Sequence, residues 1–228
     1  MDPMATKGIL FDLDGTLLNR PTSLEHFLRC QYECFEILRS SKTFGEFRER
    51  FLHLDQNGYV WKDRVYQQLE DEFNLPSNSW NTLLTDYIEN FCHDCVAFSY
   101  THELLSSLLE RGYKLGMITN GYTDFQLRNI STLQLDTYFH TILVSEEEGI
   151  KKPDPRLFHK ALKKMNVNAS ESFFIGDHEE KDVGGAQAAG LKTVRIDHSR
   201  TVSKSAADHL AYSCEDILHL FSGNTVHG

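Results

Sequence analysis

No apolar run in this 228-residue chain approaches the roughly 20 residues that a membrane-spanning helix needs. The opening residues, MDPMATKG, hold none of the apolar core that a secretory signal carries, so the expected location is the cytoplasm. Basic residues are in short supply: 23 Lys and Arg stand against 33 Asp and Glu, a net charge of −10. That balance argues against nucleic acid or an anionic membrane as a partner. It leaves room for a single phosphate held by local donors and a metal. Cysteines number five, an odd count. Cys92-His93-Asp94-Cys95 is a C-x-x-C, but no second such pair exists to complete a zinc site. The thiols are therefore expected to be reduced and outside the chemistry. There is no internal repeat and no low-complexity linker.

What the chain does have is five short apolar runs that read as buried strands: 7–12, 113–119, 141–145, 172–176 and 192–196. From Tyr113 onward each is followed by a helical pattern, over 123–133, 156–165 and 181–189, the last ending at Gly190. Strands alternating with helices predict an α/β fold, a Rossmann-like, doubly wound parallel sheet with helices on both faces.

The stretch after the first strand reads differently. Leu24, Phe27, Leu28, Phe35 and Leu38 recur at helical spacing, as do Val65, Leu69 and Phe73, and then Leu83, Tyr87 and Phe91. Strand signals are absent there. The expected organisation is an α/β core over 1–16 and 101–228, with a helical domain inserted over 17–100. The connections near 17–21 and 98–102 are expected to act as hinges.

KGILFDLDGTLLN, residues 7–19, leaves its strand on two carboxylates, Asp12 and Asp14, which repel each other. Ligands of open parallel sheets bind beyond the carboxyl ends of strands. That rule gathers Asp12 and Asp14, Thr119 and Asn120, Lys152, and Asp177, with Asp182 five residues further on. Converging carboxylates are stable around a hard cation, and Mg²⁺ takes oxygen ligands and is often shared with a substrate phosphate. A lysine held by prolines in KKPDP can pair with the aspartates and steady a phosphoryl group. A hydroxyl and backbone N–H groups in ITNG suit an anion.

In this order, FDLDGTLL, ITNG, Lys152 before Pro153, and GDHEEKD resemble the four motifs of the haloacid dehalogenase superfamily. The helical insertion after the first motif resembles its C1 cap. The resemblance spans essentially the whole chain and implies roles at matching positions. Asp12 is then the nucleophile that forms an aspartyl-phosphate, and Asp14 the acid and then the base. Thr119, Asn120 and Lys152 bind the phosphoryl group. Asp12, Asp177 and the main-chain carbonyl of Asp14 hold Mg²⁺, while Asp182 orients Lys152 or a metal-bound water.

Asp14 favours phosphoryl chemistry over dehalogenation. A phosphonate-cleaving cap lysine has no convincing candidate in Lys42 or Lys62. A phosphomutase remains an alternative reading, and a phospho-receiver or silent binding module is a non-enzymatic one. The receiver would lack a cap, and the silent protein would have lost a motif residue. The sequence looks most like C1-cap phosphatases such as pyrimidine 5′-nucleotidases and sialic acid 9-phosphate phosphatases, so the implied partner is a small phosphorylated metabolite and the chain a monomer or homodimer. Residues 17–100 carry 13 acidic and 8 basic side chains, so the cap is no basic funnel. Substrate choice then falls to a few residues, with Asn19, Arg20, Trp61 and Arg64 as candidates. Helix packing for Trp61 and solvation for Arg64 are the plainer alternatives.

Overall fold

The computed structural model describes residues 7–222. The residues read for a secretory signal fall mostly outside that range. In chain order the elements are β1 (Gly8–Phe11), α1 (Arg20–Cys34), α2 (Glu36–Ser41), α3 (Phe44–Asp55), α4 (Lys62–Phe73), α5 (Ser79–Asn90) and α6 (Thr101–Glu110). There follow β2 (Lys114–Thr119), α7 (Thr123–Thr132), β3 (Thr141–Val144), α8 (Ser145–Glu148), α9 (Pro155–Met165) and β4 (Phe173–Gly176). A π-helical turn, Glu179–Gly184, leads into α10 (Gly185–Ala188), then β5 (Lys192–Ile196), β6 (His209–Ala211) and α11 (Cys214–Phe221).

The six strands form one sheet in the order β3-β2-β1-β4-β5-β6, every pair parallel. The four residues of β1 are all buried, the mark of a central strand covered on both faces. One layer of that cover is α9. Asp154 caps it by accepting from the Arg156 N–H, Pro155 opens its first turn, and Leu157, Phe158 and Ala161 pack on Leu10, Ile118 and Phe174. Sequence periodicity missed β6, because three residues are too few to show an alternation. The helix expected over 181–189 is instead a π turn followed by the four-residue α10. This wider winding recurs at functional sites, and here it carries Asp182.

By contact the chain divides into two compact units, one comprising the residues up to Arg20 and from Val96 onward, the other Pro21–Cys95. The boundaries fall inside the expected 17 and 100 because the two connections hydrogen-bond to each other. Asn19 N–H donates to Val96 O at 2.8 Å and Phe98 N–H to Leu17 O at 2.9 Å, with Leu17 and Leu18 buried.

The smaller unit, α1–α5, has its own aromatic core. Phe27 meets Tyr87 edge-on at 5.2 Å, and Phe51 meets Tyr66 at 5.4 Å. Within it Gln31 is buried, accepting from the Tyr66 hydroxyl at 2.7 Å and donating to Leu83 O at 3.0 Å. Lys62 is buried in an ion pair with Asp55, and Lys42 lies over the Phe73 ring. Neither lysine is set out as a nucleophile. All five cysteines are free thiols.

Candidate active site

The carboxyl ends of β1, β2 and β4 meet where the connections reverse direction across the sheet, the place at which open α/β sheets bind ligands. Asp12 continues β1, its N–H donating to Ile175 O at 2.9 Å, so the neighbouring strand holds its backbone. Three residues on, Gly15 has φ +78°, and a β-carbon there would lie 2.5 Å from Asp177 Oδ2. Only glycine meets both demands, the left-handed turn and the close approach of the second acid.

At the centre sits Lys152, 3% exposed. Its Nζ donates to Asp12 Oδ1 at 2.6 Å and to Asp182 Oδ1 at 2.7 Å. Burial pulls the Lys152 ammonium down, but the Asp12 and Asp182 carboxylates outweigh it and hold the group above its ordinary value. It is a fixed positive charge. Its loop is anchored by Asn120, whose side-chain amide donates to Lys152 O at 3.0 Å and accepts from Lys152 N–H at 2.9 Å. The Asn120 side chain thus serves Lys152 at both ends. Thr119 is buried at the end of β2.

Asp182, 1% exposed, accepts a second bond from His178 N–H at 3.0 Å. Arg195 on β5 donates from Nε to Asp177 O at 3.1 Å and pairs with Glu179, bracing the loop that carries the acids.

Carboxylate oxygens of Asp12, Asp177 and Asp182 lie within 4.8 Å of one another. One ammonium cannot balance three such groups. Burial pushes the Asp12 acid well up, with Asp182 and Asp177 adding to it against Lys152. Burial likewise pushes Asp177 up to about 7, helped by Asp182 and Asp14 and opposed by Lys152. An all-oxygen donor set short of positive charge fits a hard divalent cation. Asp182 thus joins this carboxylate set as well as pairing with Lys152, a part that the sequence reading gave it only indirectly.

The shift at Asp177 has a measurable sign. Its ordinary value is 3.8. Between there and about 7 the folded chain keeps a proton that the unfolded chain releases. Metal-free protein is therefore expected to lose stability as pH rises across that window. A bound cation competes with that proton, so Mg²⁺ is expected to raise Tm more at pH 7.5 than at pH 5. At about 100 times the dissociation constant the gain is about 2.7 kcal/mol. A pH-independent Mg²⁺ effect on Tm would contradict this account.

The sequence pattern of the haloacid dehalogenase-like hydrolases matches residues 9–196. The chain belongs to that family. Among curated haloacid dehalogenase-like relatives, it is 37% identical to glyceraldehyde 3-phosphate phosphatase of Pyrococcus abyssi over 204 residues, 82% of this chain and 80% of that protein. It is 24% identical to the pyrimidine 5′-nucleotidase PynA of Streptococcus pneumoniae over 237 residues, 97% of each. The fold is shared with the HAD-hydrolase YfnB of Bacillus subtilis, whose structure has magnesium bound: TM-score 0.80, 21% identity, 96% of this chain and 99% of that one. Members of this superfamily generally use a divalent metal.

Of the residues singled out in the sequence, Asp12, Asp14, Thr119, Asn120, Lys152, Asp177 and Asp182 all lie in the larger unit, joined by the contacts above and by Gln126, which reaches both Asp14 and Thr119. Arg20 is also in that unit, at the start of α1. Trp61 and Arg64 belong to the smaller one, Trp61 half-buried ahead of α4 and Arg64 exposed on it. Sequence reasoning passed over Gln126, Arg195 and His178. The available signal for Gln126 was a polar pair, Gln126 and Asn129, at i and i+3 on the inward face of a helix that starts just past ITNG.

Proposed function

We propose that this chain is a cytoplasmic, Mg²⁺-dependent phosphatase of small phosphomonoesters, a sugar or triose phosphate or a nucleoside monophosphate. The observation that carries the reading is Lys152, buried and charged between Asp12 and Asp182 at the end of the central strands. A fixed cation beside a buried carboxylate suits an incoming phosphoryl group, whose oxygens carry negative charge that needs prearranged donors. The phosphatase relatives point the same way, one named for a triose phosphate and one for pyrimidine nucleotides.

In this reading an Asp12 carboxylate oxygen attacks phosphorus while Asp14 gives its proton to the departing alkoxide, and the P–O bond to the leaving group breaks. Asp14, now ionised, takes a proton from water as that water attacks the aspartyl-phosphate. The P–O bond to Asp12 breaks and orthophosphate leaves. Thr119 and Lys152 donate to the phosphoryl oxygens, and Asn120 keeps Lys152 in place. Asp12, Asp177 and the Asp14 carbonyl would hold Mg²⁺, which when bound supplies charge neutralisation at the phosphoryl group.

The test is phosphate release from a panel of sugar phosphates, triose phosphates and nucleoside monophosphates, each with Mg²⁺ and with EDTA. A Mg²⁺-dependent preferred substrate is expected, and no release from any of them would reject the reading. Asp177→Ala is expected to raise the Mg²⁺ concentration for half-maximal rate on the order of 10-fold or more. An unchanged Mg²⁺ requirement would remove Asp177 from the cation site.

A further inference from the structure

Helix α7 turns two amides inward just past Thr119. Gln126 is 2% exposed and Asn129 is fully buried, although neither belongs to a motif. Gln126 Nε2 donates to Asp14 Oδ2 at 2.7 Å and to Thr119 Oγ1 at 2.8 Å, with Asn120 O a longer acceptor at 3.3 Å. Gln126 Oε1 accepts from Asn129 Nδ2 at 3.3 Å. The Asn120 carbonyl and the Asp14 carboxylate, both acceptors, fix the nitrogen end of the amide toward the acids, and the Asn129 contact agrees with it. Flipped, the Gln126 oxygen would face the Asp14 carboxylate and its nitrogen would face another nitrogen. Gly121 belongs to the same arrangement, since a β-carbon there would lie 2.9 Å from Gln126 Cγ.

An amide nitrogen has two hydrogens, and the two short contacts use one each. The Thr119 hydroxyl, with a lone pair engaged by Gln126, has its own hydrogen left to donate elsewhere. Asp14, with Oδ2 engaged as an acceptor, is left with Oδ1 to carry the transferable proton. One nitrogen thereby orients a phosphoryl donor and an acid/base carboxyl in register with each other.

We propose that Gln126 is a positioning residue for the phosphatase reaction, setting Asp14 Oδ1 toward the leaving group and the Thr119 hydroxyl toward the phosphoryl group. The proposal rests on the phosphatase reading above. Gln126 acts only through these two side chains.

The test compares wild type with Gln126→Met, which keeps the bulk and loses the donor, and Gln126→Glu, which keeps the shape and replaces the donor with a carboxylate. Two substrates are used: the best alkyl phosphate from the panel, and 2,4-dinitrophenyl phosphate, whose leaving group needs no proton. For Gln126→Met, kcat on the alkyl phosphate is expected to fall about 10²-fold with KM within about 3-fold. On the dinitrophenyl ester the first turnover falls only by what the Thr119 hydroxyl contributes and stays faster than the steady state, which slows further. The result is a burst of dinitrophenol stoichiometric with enzyme, because hydrolysis of the aspartyl-phosphate still needs Asp14 as base. Gln126→Glu is expected to lose at least as much as Gln126→Met, which a packing role would not produce. Asn129→Leu, which removes the hydrogen bond to Gln126 Oε1, is expected to give a weaker version of the same burst, and it carries the test if the Gln126 variants do not fold.

Equal losses on both substrates without a burst, or a kcat near wild type, would overturn the positioning role while the wild-type activity stands. A wild-type enzyme that hydrolyses no ester of the panel would overturn the phosphatase reading, and this inference with it.

Discussion

Replacing Asp12 with asparagine is expected to cut phosphate release on the order of 10⁴-fold or more, because a carboxamide is no nucleophile toward phosphorus. The same change should leave the fold intact. Asp12 is buried among acids, and burial together with Asp182 and Asp177 opposes its ionisation. Asparagine keeps an oxygen to accept from Lys152 while removing that charge. In EDTA the Asp12→Asn protein should therefore melt at or above the wild-type temperature, and acid-quenched reaction mixtures should contain no phosphoenzyme. Hydrolysis at near the wild-type rate would show that the nucleophile lies elsewhere. A much lower Tm would show that the Asp12 charge supports the fold and that the loss of activity is uninformative.

Lys152→Ala is expected to be costly in both activity and stability. The lysine is buried and donates to two buried carboxylates. Taking one partner out of a buried ion pair costs about 3–5 kcal/mol, since the charge left behind has neither water nor a counter-ion. Turnover should vanish with it, the phosphoryl oxygens having lost a fixed cation. The origin of the stability loss can be checked by a double variant. Adding Asp182→Asn to Lys152→Ala removes one stranded carboxylate and should recover part of the stability without recovering any activity. Urea unfolding in EDTA reads both effects. If Lys152→Ala unfolds at the wild-type midpoint, or if the double variant is less stable than the single, the buried-charge account is wrong.

These two variants probe parts of the site that were legible to different degrees. The chemical types and chain positions of Asp12, Asp14, Thr119, Lys152 and Asp177 were readable because each sits at or near the end of an apolar run. A short hydrophobic segment that stops at a polar residue is a local signal that needs no knowledge of the partner. The alternation of such runs with helical patterns likewise indicated a parallel sheet and, through it, a shared edge for the strand ends. The expectation of an inserted helical domain came by the same route, from a long stretch in which helical spacing replaces strand signals.

What the polar groups bond to was not readable. Lys152 and Asp12 are 140 positions apart, and Gln126 and Asp14 are 112 apart. No periodicity spans such distances, and a polar residue on a helix looks the same in sequence whether it faces water or an acid. The inward turn of Gln126, the engagement of Asn120 with the Lys152 main chain, the bracing of Asp177 by Arg195 and the burial of Lys62 against Asp55 all depend on which elements pack together. Asp182 shows the division within one residue. Its presence past Asp177 was plain from the sequence, but its place beside Lys152 and the other carboxylates depends on a π turn. Local pattern determined which groups reach the sheet edge, because strand ends are set by neighbours in the chain. Tertiary packing decided what each group does there, because hydrogen bonds and charge balance are set by neighbours in space.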